Sequence, residues 1–167
     1  MSIIKIRVVI SFIIILVLIG AVGFFVYQLY FPKAVHPFNK LKNLITEDVV
    51  IYISPNCGCC ALYANYLKNQ GISIKVSYID DISSIKSKYS IPINMQSCHT
   101  TIIGNYFVEG HVPVEAILKL MEEKPNITGI ALPGMPSGSP GMTGVKYNPF
   151  RIYSIDYDGA IHLFTIV

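Results

Sequence analysis

Three of the four cysteines in this chain fall within four residues, Cys57-Gly58-Cys59-Cys60, and the fourth lies in Ser97-Cys98-His99-Thr100. Cys57 and Cys60 form a CxxC pair. Two chemistries suit thiols at this spacing: thiol–disulfide exchange and the binding of a soft metal ion. Both use the thiolate, which is the nucleophile and the ligand. A static disulfide is the plain structural alternative, but three cysteines in four residues are poorly placed for loop-closing bridges. Zinc sites favour two separated knuckles or Cys/His pairs in closed tetrahedral geometry. The adjacency of Cys59 and Cys60 strains four terminal bonds to one ion, whereas sulfur bridging between several Cu(I) ions does not. Cys98 read alone is a small buried hydrophobe.

Other soft or borderline donors accompany the thiols. Met135 and Met142 lie in ALPGMPSGSPGMTG, a Gly/Pro loop able to present thioethers, although methionine is commonly a gap-filler. Met95 is a weaker candidate. His111, in Val108-Glu109-Gly110-His111-Val112-Pro113, offers an imidazole that Glu109 is placed to orient. His36 and His162 read as structural. No Walker loop, GxSxG or HExxH is present, so hydrolase and nucleotide readings have no support.

Positioning these groups requires specific elements. The β-branched run Asp48–Ile53 predicts a buried strand, and Ser54-Pro55-Asn56 turns it into the cysteines. Cys60–Asn69 predicts a helix stopped by Gly71, and a thiol at its start meets unpaired N–H groups that favour the thiolate. Ile72–Ile79 alternates as a strand, and Asp80 and Asp81 cap a short helix to Tyr89. Thr100–Ile103 and Tyr106–Val108 flank Gly104-Asn105, a hairpin signal. Pro113 opens a helix with Val114, Ile117, Leu118 and Met121 on one face, and Pro125 ends it. A strand, a CxxC-led helix and a later hairpin plus helix together predict an α/β, thioredoxin-like domain over residues 48–125. In that arrangement Cys98 and His99 stand where the fold usually carries a cis-proline, beside Cys57 and Cys60. Residues 126–167 form a C-terminal β extension: a strand (Ile127–Leu132), the Met-bearing loop, and a hairpin (Phe150–Asp156, Ala160–Ile166) turned by Asp158-Gly159.

Residues 8–27 contain no charge over twenty positions, about one hydrocarbon thickness as a helix. Residues 1–30 are expected to be one transmembrane signal anchor. A cleaved signal peptide ending near Ala21-Val22-Gly23 is the alternative, although its apolar region is usually shorter. Residues 31–47 form a juxtamembrane linker, with a short helix over Phe38–Ile45. This segment explains a mean hydropathy of +0.51. Past Tyr30 there are eleven Lys/Arg against ten Asp/Glu. That balance excludes a nucleic-acid binder driven by a basic face.

CGCC, MQSCHT, YFVEGHVP and PGMPSGSPGM, in that order over roughly residues 48–145, resemble the CopG-type copper-resistance family, also described as a CxCC-marked domain of unknown function. The resemblance implies a thioredoxin-like domain with a C-terminal extension, outside the cytoplasm, binding copper in copper tolerance. It implies a metal site at Cys57, Cys59, Cys60 and Cys98, helped by His99, His111, Met135 and Met142. Tyr63 departs from the tryptophan expected after CxCC, and Thr143 from an acidic residue. The combined reading is a copper protein anchored in the inner membrane with its domain in the periplasm. It binds Cu(I), several ions if sulfur bridges them. It is an oxidoreductase if the Cys57/Cys60 pair exchanges electrons with copper, and its partners are copper ions and copper-efflux or copper-handling proteins. The rival reading is a metal-independent thioredoxin-like thiol–disulfide oxidoreductase.

Overall fold

The computed structural model describes residues 3–30, 41 and 43–167. The chain divides into two units, Met1–Val35 and His36–Val167.

The first unit holds α1 (Ile3–Tyr30), apolar on every side. Its described side chains are exposed. α1 covers the segment expected to span a membrane. Among the described residues no helix is long and apolar enough to cross one. The linker expected over 31–47 falls largely outside the described residues, His36 with it. Of the short helix expected there, Leu41, Asn43 and Leu44 are helical, and the Ile45 N–H donates to the Leu41 carbonyl at 3.0 Å.

The second unit is mixed α/β, built on one seven-stranded sheet. β1 (Val49–Ile53) buries Val49, Ile51 and Ile53, the branched residues its alternation sets on one face. α2 (Gly58–Asn69) follows the turn and returns the chain to β2 (Ile74–Tyr78), parallel to β1. α3 (Ile82–Lys88) is capped by Asp81, which accepts the Ser83 N–H at 3.0 Å. A 3₁₀ turn at Ile93–Met95 leads to β3 (His99–Ile103), antiparallel to β1, and β3 pairs with β4 (Tyr106–Glu109) across the expected hairpin. α4 (Val114–Glu123) buries Val114, Ala116, Ile117, Leu120 and Met121. Leu118, expected on that stripe, is only half-buried, and Leu120 takes the deeper place.

The strand expected over Ile127–Leu132 is shorter, β5 (Gly129–Ala131). It lies parallel to β4, and β6 (Arg151–Ile155) and β7 (Ile161–Ile166) continue the sheet antiparallel, giving the order β2-β1-β3-β4-β5-β6-β7. The core divides between the two faces. Tyr63, Leu67, Ile117 and Leu120 from α2 and α4 pack with Ile51, Ile103 and Val108. Ile91, Met95, Phe107, Ala131 and Ile155 form a smaller cluster. Met95, a weaker donor candidate in the sequence, packs in this smaller cluster.

Candidate metal centre

The turn after β1 delivers Cys57 to the N-cap of α2, where its carbonyl accepts the Ala61 N–H at 3.3 Å. Cys57 and Cys60 are joined by a disulfide, with Cα atoms 5.3 Å apart. Cys59 and Cys98 are free thiols. Cys59 Sγ lies 3.5 Å from Cys57 Sγ and 3.9 Å from Cys98 Sγ, so residues 39 apart in sequence meet at the helix start. Cys60 Sγ lies 3.7 Å from the Cys98 carbonyl. The donor atoms of Cys57, Cys59, Cys60 and Cys98 all lie within 4.8 Å of one another, as do those of Cys98, His99 and His111. Cys98 belongs to both groups and joins the sulfurs to the imidazoles.

The electrostatics of the second group follow from burial. Cys98 Sγ lies 3.1 Å from His111 Nε2 and 3.3 Å from His99 Nδ1. Both imidazoles are fully buried. Burial pushes His99 well below its ordinary 6.5, with His111 and Lys86 adding in the same direction, and burial lowers His111 as well. Both rings are therefore neutral. His111 Nδ1 donates to the Pro140 carbonyl at 2.7 Å, which leaves an unprotonated lone pair on Nε2 aimed at Cys98. The Cys98 thiol is pushed up to about 12, chiefly by burial and then by Cys59. A proton sits there in the metal-free protein, and a cation is what replaces it. His99 Nε2 has no hydrogen-bond partner among the described residues. The nearby Gly110 carbonyl favours the protonated ring only slightly, and burial outweighs it. Soft sulfurs, a correctly oriented imidazole lone pair and an orphaned buried nitrogen fit a soft or borderline cation such as copper.

The loop after β5 covers this group. Gly141 has φ of +79°, and a Cβ there would stand 2.7 Å from Tyr63 N and 3.1 Å from the Cys59 carbonyl, so only glycine permits the approach. Ser97 Oγ donates to the Gly134 carbonyl at 2.6 Å. Met142 is half-buried beside Gly141, and Met135 is 53% exposed.

Glu109 does not orient His111. Its carboxylate accepts from Lys86, the Ser97 N–H and the Thr100 hydroxyl, and the Pro140 carbonyl takes the expected role instead. His162 is an exposed strand residue 3.3 Å from the Asp156 carboxylate. Two residues hold places at the site that the sequence does not announce. Tyr63, fully buried, sets its ring 4.5 Å from His99 and 5.4 Å from His111, and its hydroxyl donates to the Val112 carbonyl at 2.9 Å. Lys86 is buried although charged. Its signal is its place with Ile82, Ile85 and Tyr89, the inward stripe of α3.

Residues 95–142 match the family described as "Protein of unknown function, DUF411". No curated protein matches the chain. The fold is similar to two solved structures of a copper resistance protein CopG. Form 2 is 36% identical with a TM-score of 0.67, covering 72% of this chain and 97% of that chain. Form 1 is 36% identical with a TM-score of 0.66, covering 72% of this chain and 96% of that chain. With that identity over nearly the whole length of the relatives, and with a cysteine cluster at the start of α2, the chain belongs to the CopG-type copper-resistance family.

Proposed function

We propose that this chain is an extracytoplasmic copper-binding protein of copper tolerance, held at the inner membrane by α1, that binds Cu(I) through Cys57, Cys59, Cys60 and Cys98. The observation that carries the reading is the convergence of four sulfurs and two neutral imidazoles at one helix start. The copper-resistance relatives make copper the natural occupant. Thiolates can bridge several Cu(I) ions, which suits adjacent cysteines better than one closed tetrahedron. His111 and His99 complete the donor set, and Met135 and Met142 of the covering loop are its candidate thioether donors. The strand order β2-β1-β3-β4, with β2 parallel and β3 antiparallel to β1, supports a thioredoxin-like unit continued by the extension.

The redox step follows from the Cys57–Cys60 pair. In the reduced protein the two thiols give one electron each to two Cu(II) ions. This yields two Cu(I), the disulfide and two protons. Cys59 and Cys98 stay reduced and keep the Cu(I) product. Copper-efflux or copper-handling proteins are the natural acceptors of that product.

The test is to add Cu(II) anaerobically to the reduced full chain in detergent, then count Cu(I) with a chelator and thiols by alkylation. Two Cu(I) formed for each disulfide supports the reading. Thiol loss without Cu(I) contradicts it. The disulfide itself favours a second reading, metal-independent thiol–disulfide exchange with partner proteins. That reading needs neither Cys59 nor Cys98, so disulfide reductase activity surviving Cys59→Ser/Cys98→Ser without copper binding would favour it.

A further inference from the structure

Behind the Cys98–His99 segment lies a buried charge pair that no copper chemistry uses. Lys86 on α3 and Glu109 at the end of β4 have side chains 4% and 0% exposed, and their charged ends are paired. Pairs of this kind are rarely retained for stability, because apolar residues of equal volume hold a core as well or better. What else the carboxylate holds is therefore informative. One oxygen accepts the Ser97 N–H at 2.6 Å as well as Lys86. The other accepts the Thr100 hydroxyl at 2.6 Å, and Thr100 Oγ1 in turn accepts from Lys86 Nζ at 3.3 Å. Thr100 stands directly opposite Glu109 in the β3–β4 register. Ser97 and Thr100 are the residues on either side of Cys98 and His99.

We propose that Glu109, held by Lys86, is a positioning residue. It clamps residues 97 and 100 so that Cys98 and His99 between them are held toward Cys59 and His111. The strand backbone alone does not do this, since β3 begins only at His99 and Cys98 lies before it. Gly110 closes the clamp. Its N–H donates to the His99 carbonyl at 3.1 Å, and its positive φ brings it so close to Ser97 that a Cβ would stand 2.7 Å from the serine's own. Lys86 completes the clamp by donating to both Glu109 and Thr100. The inference rests on the copper reading for its purpose, but its geometry concerns the metal-free chain.

Two double variants of the full chain in detergent test it. Lys86→Met/Glu109→Gln removes both charges but keeps an acceptor for the Ser97 N–H and a donor for Thr100. Lys86→Met/Glu109→Leu removes the clamp at similar volume. The readout is the alkylation rate of Cys98 relative to Cys59 in the metal-free protein with its disulfide intact. General destabilisation moves both rates, and loss of the clamp moves only Cys98. The Leu variant is expected to raise that ratio and weaken Cu(I) binding by about tenfold, as loss of a group supporting a ligand does. The Gln variant should stay within about twofold of the parent on both readouts, since its hydrogen bonds persist. An unchanged ratio in a folded Leu variant, or an equal change in the Gln variant, overturns the proposal. Should the Leu variant not fold, Thr100→Val, which removes one arm and leaves the ion pair, decides: a raised ratio supports the clamp and an unchanged one refutes it. If the parent protein itself binds no Cu(I), the copper reading fails, and the alkylation ratio still decides the clamp.

Discussion

Cys98 is the residue on which the site turns, because among the described residues it alone touches both the sulfurs and the imidazoles. Cys98→Ser is expected to weaken Cu(I) binding by about tenfold or more, roughly 1.4 kcal/mol or above, nearly as much as Cys57→Ser. A competition titration with a Cu(I) chelator measures it, and full affinity in Cys98→Ser would remove this residue from the site. Its neighbours predict a pH response in the metal-free protein. His99 and His111 are held below their ordinary 6.5 by burial. The unfolded chain therefore binds more protons than the folded one once the pH drops beneath that value, so stability is full above it and falls as the pH moves toward the folded values. Denaturant melts between pH 5 and pH 8 check the sign, and stability constant across that window would contradict it. Much of this level was legible in the sequence, since CGCC and SCHT name their chemistry by residue type. The partner of His111 was not. Glu109 is two residues away and chemically suitable, yet alternation along β4 and the turn at Gly110 set the two side chains toward different neighbours. The acceptor is a backbone carbonyl 29 residues on, and no residue type announces a carbonyl.

Among the elements, the loop over residues 133–145 has the most to do with the site. It is pinned at Pro140 to His111, at Gly134 to Ser97, and at Gly141 against α2. Gly141→Ala should lift it, because the added Cβ meets Tyr63 N and the backbone is left-handed there. The expected cost is about 1–3 kcal/mol, together with loss of the Nδ1–H tautomer of His111, readable from ¹⁵N chemical shifts. An unchanged tautomer would show that the Pro140 contact does not depend on this approach. Met135→Leu/Met142→Leu keeps apolar volume and should cost under roughly 1.5 kcal/mol. It should also weaken Cu(I) binding and lower the copper midpoint potential. A large loss of stability with both copper readouts unchanged would make the methionines packing residues. Strands and helices were legible because punctuation marks them: Gly71, Asp81, Gly104-Asn105, Pro113 and Asp158-Gly159 all fall at element ends. Less legible was how the last strands are used. Alternation in Phe150–Asp156 shows a strand but not its partner, and β6 joins the sheet through the three-residue β5. Lys86 stayed hidden for a related reason, since a lysine on a short polar helix ordinarily faces water.

At the scale of the whole molecule, the sheet sets the thiols and the charge pair as near neighbours. α2 and Tyr63 close one side of the Cys98–His99 segment, and α3 brings Lys86 to the carboxylate that braces it. The folded unit carries no excess of basic charge, so on the proposed reading copper would be drawn by donor chemistry rather than by a surface field. Whether this assembly holds copper as a thiolate cluster is the central claim, and anaerobic titration of the fully reduced chain in detergent with Cu(I), against a chelator and with zinc as competitor, tests it most directly. Saturation above one Cu(I) per chain, with zinc failing to compete, is the result predicted. Saturation below one equivalent, or equal preference for zinc, would contradict it.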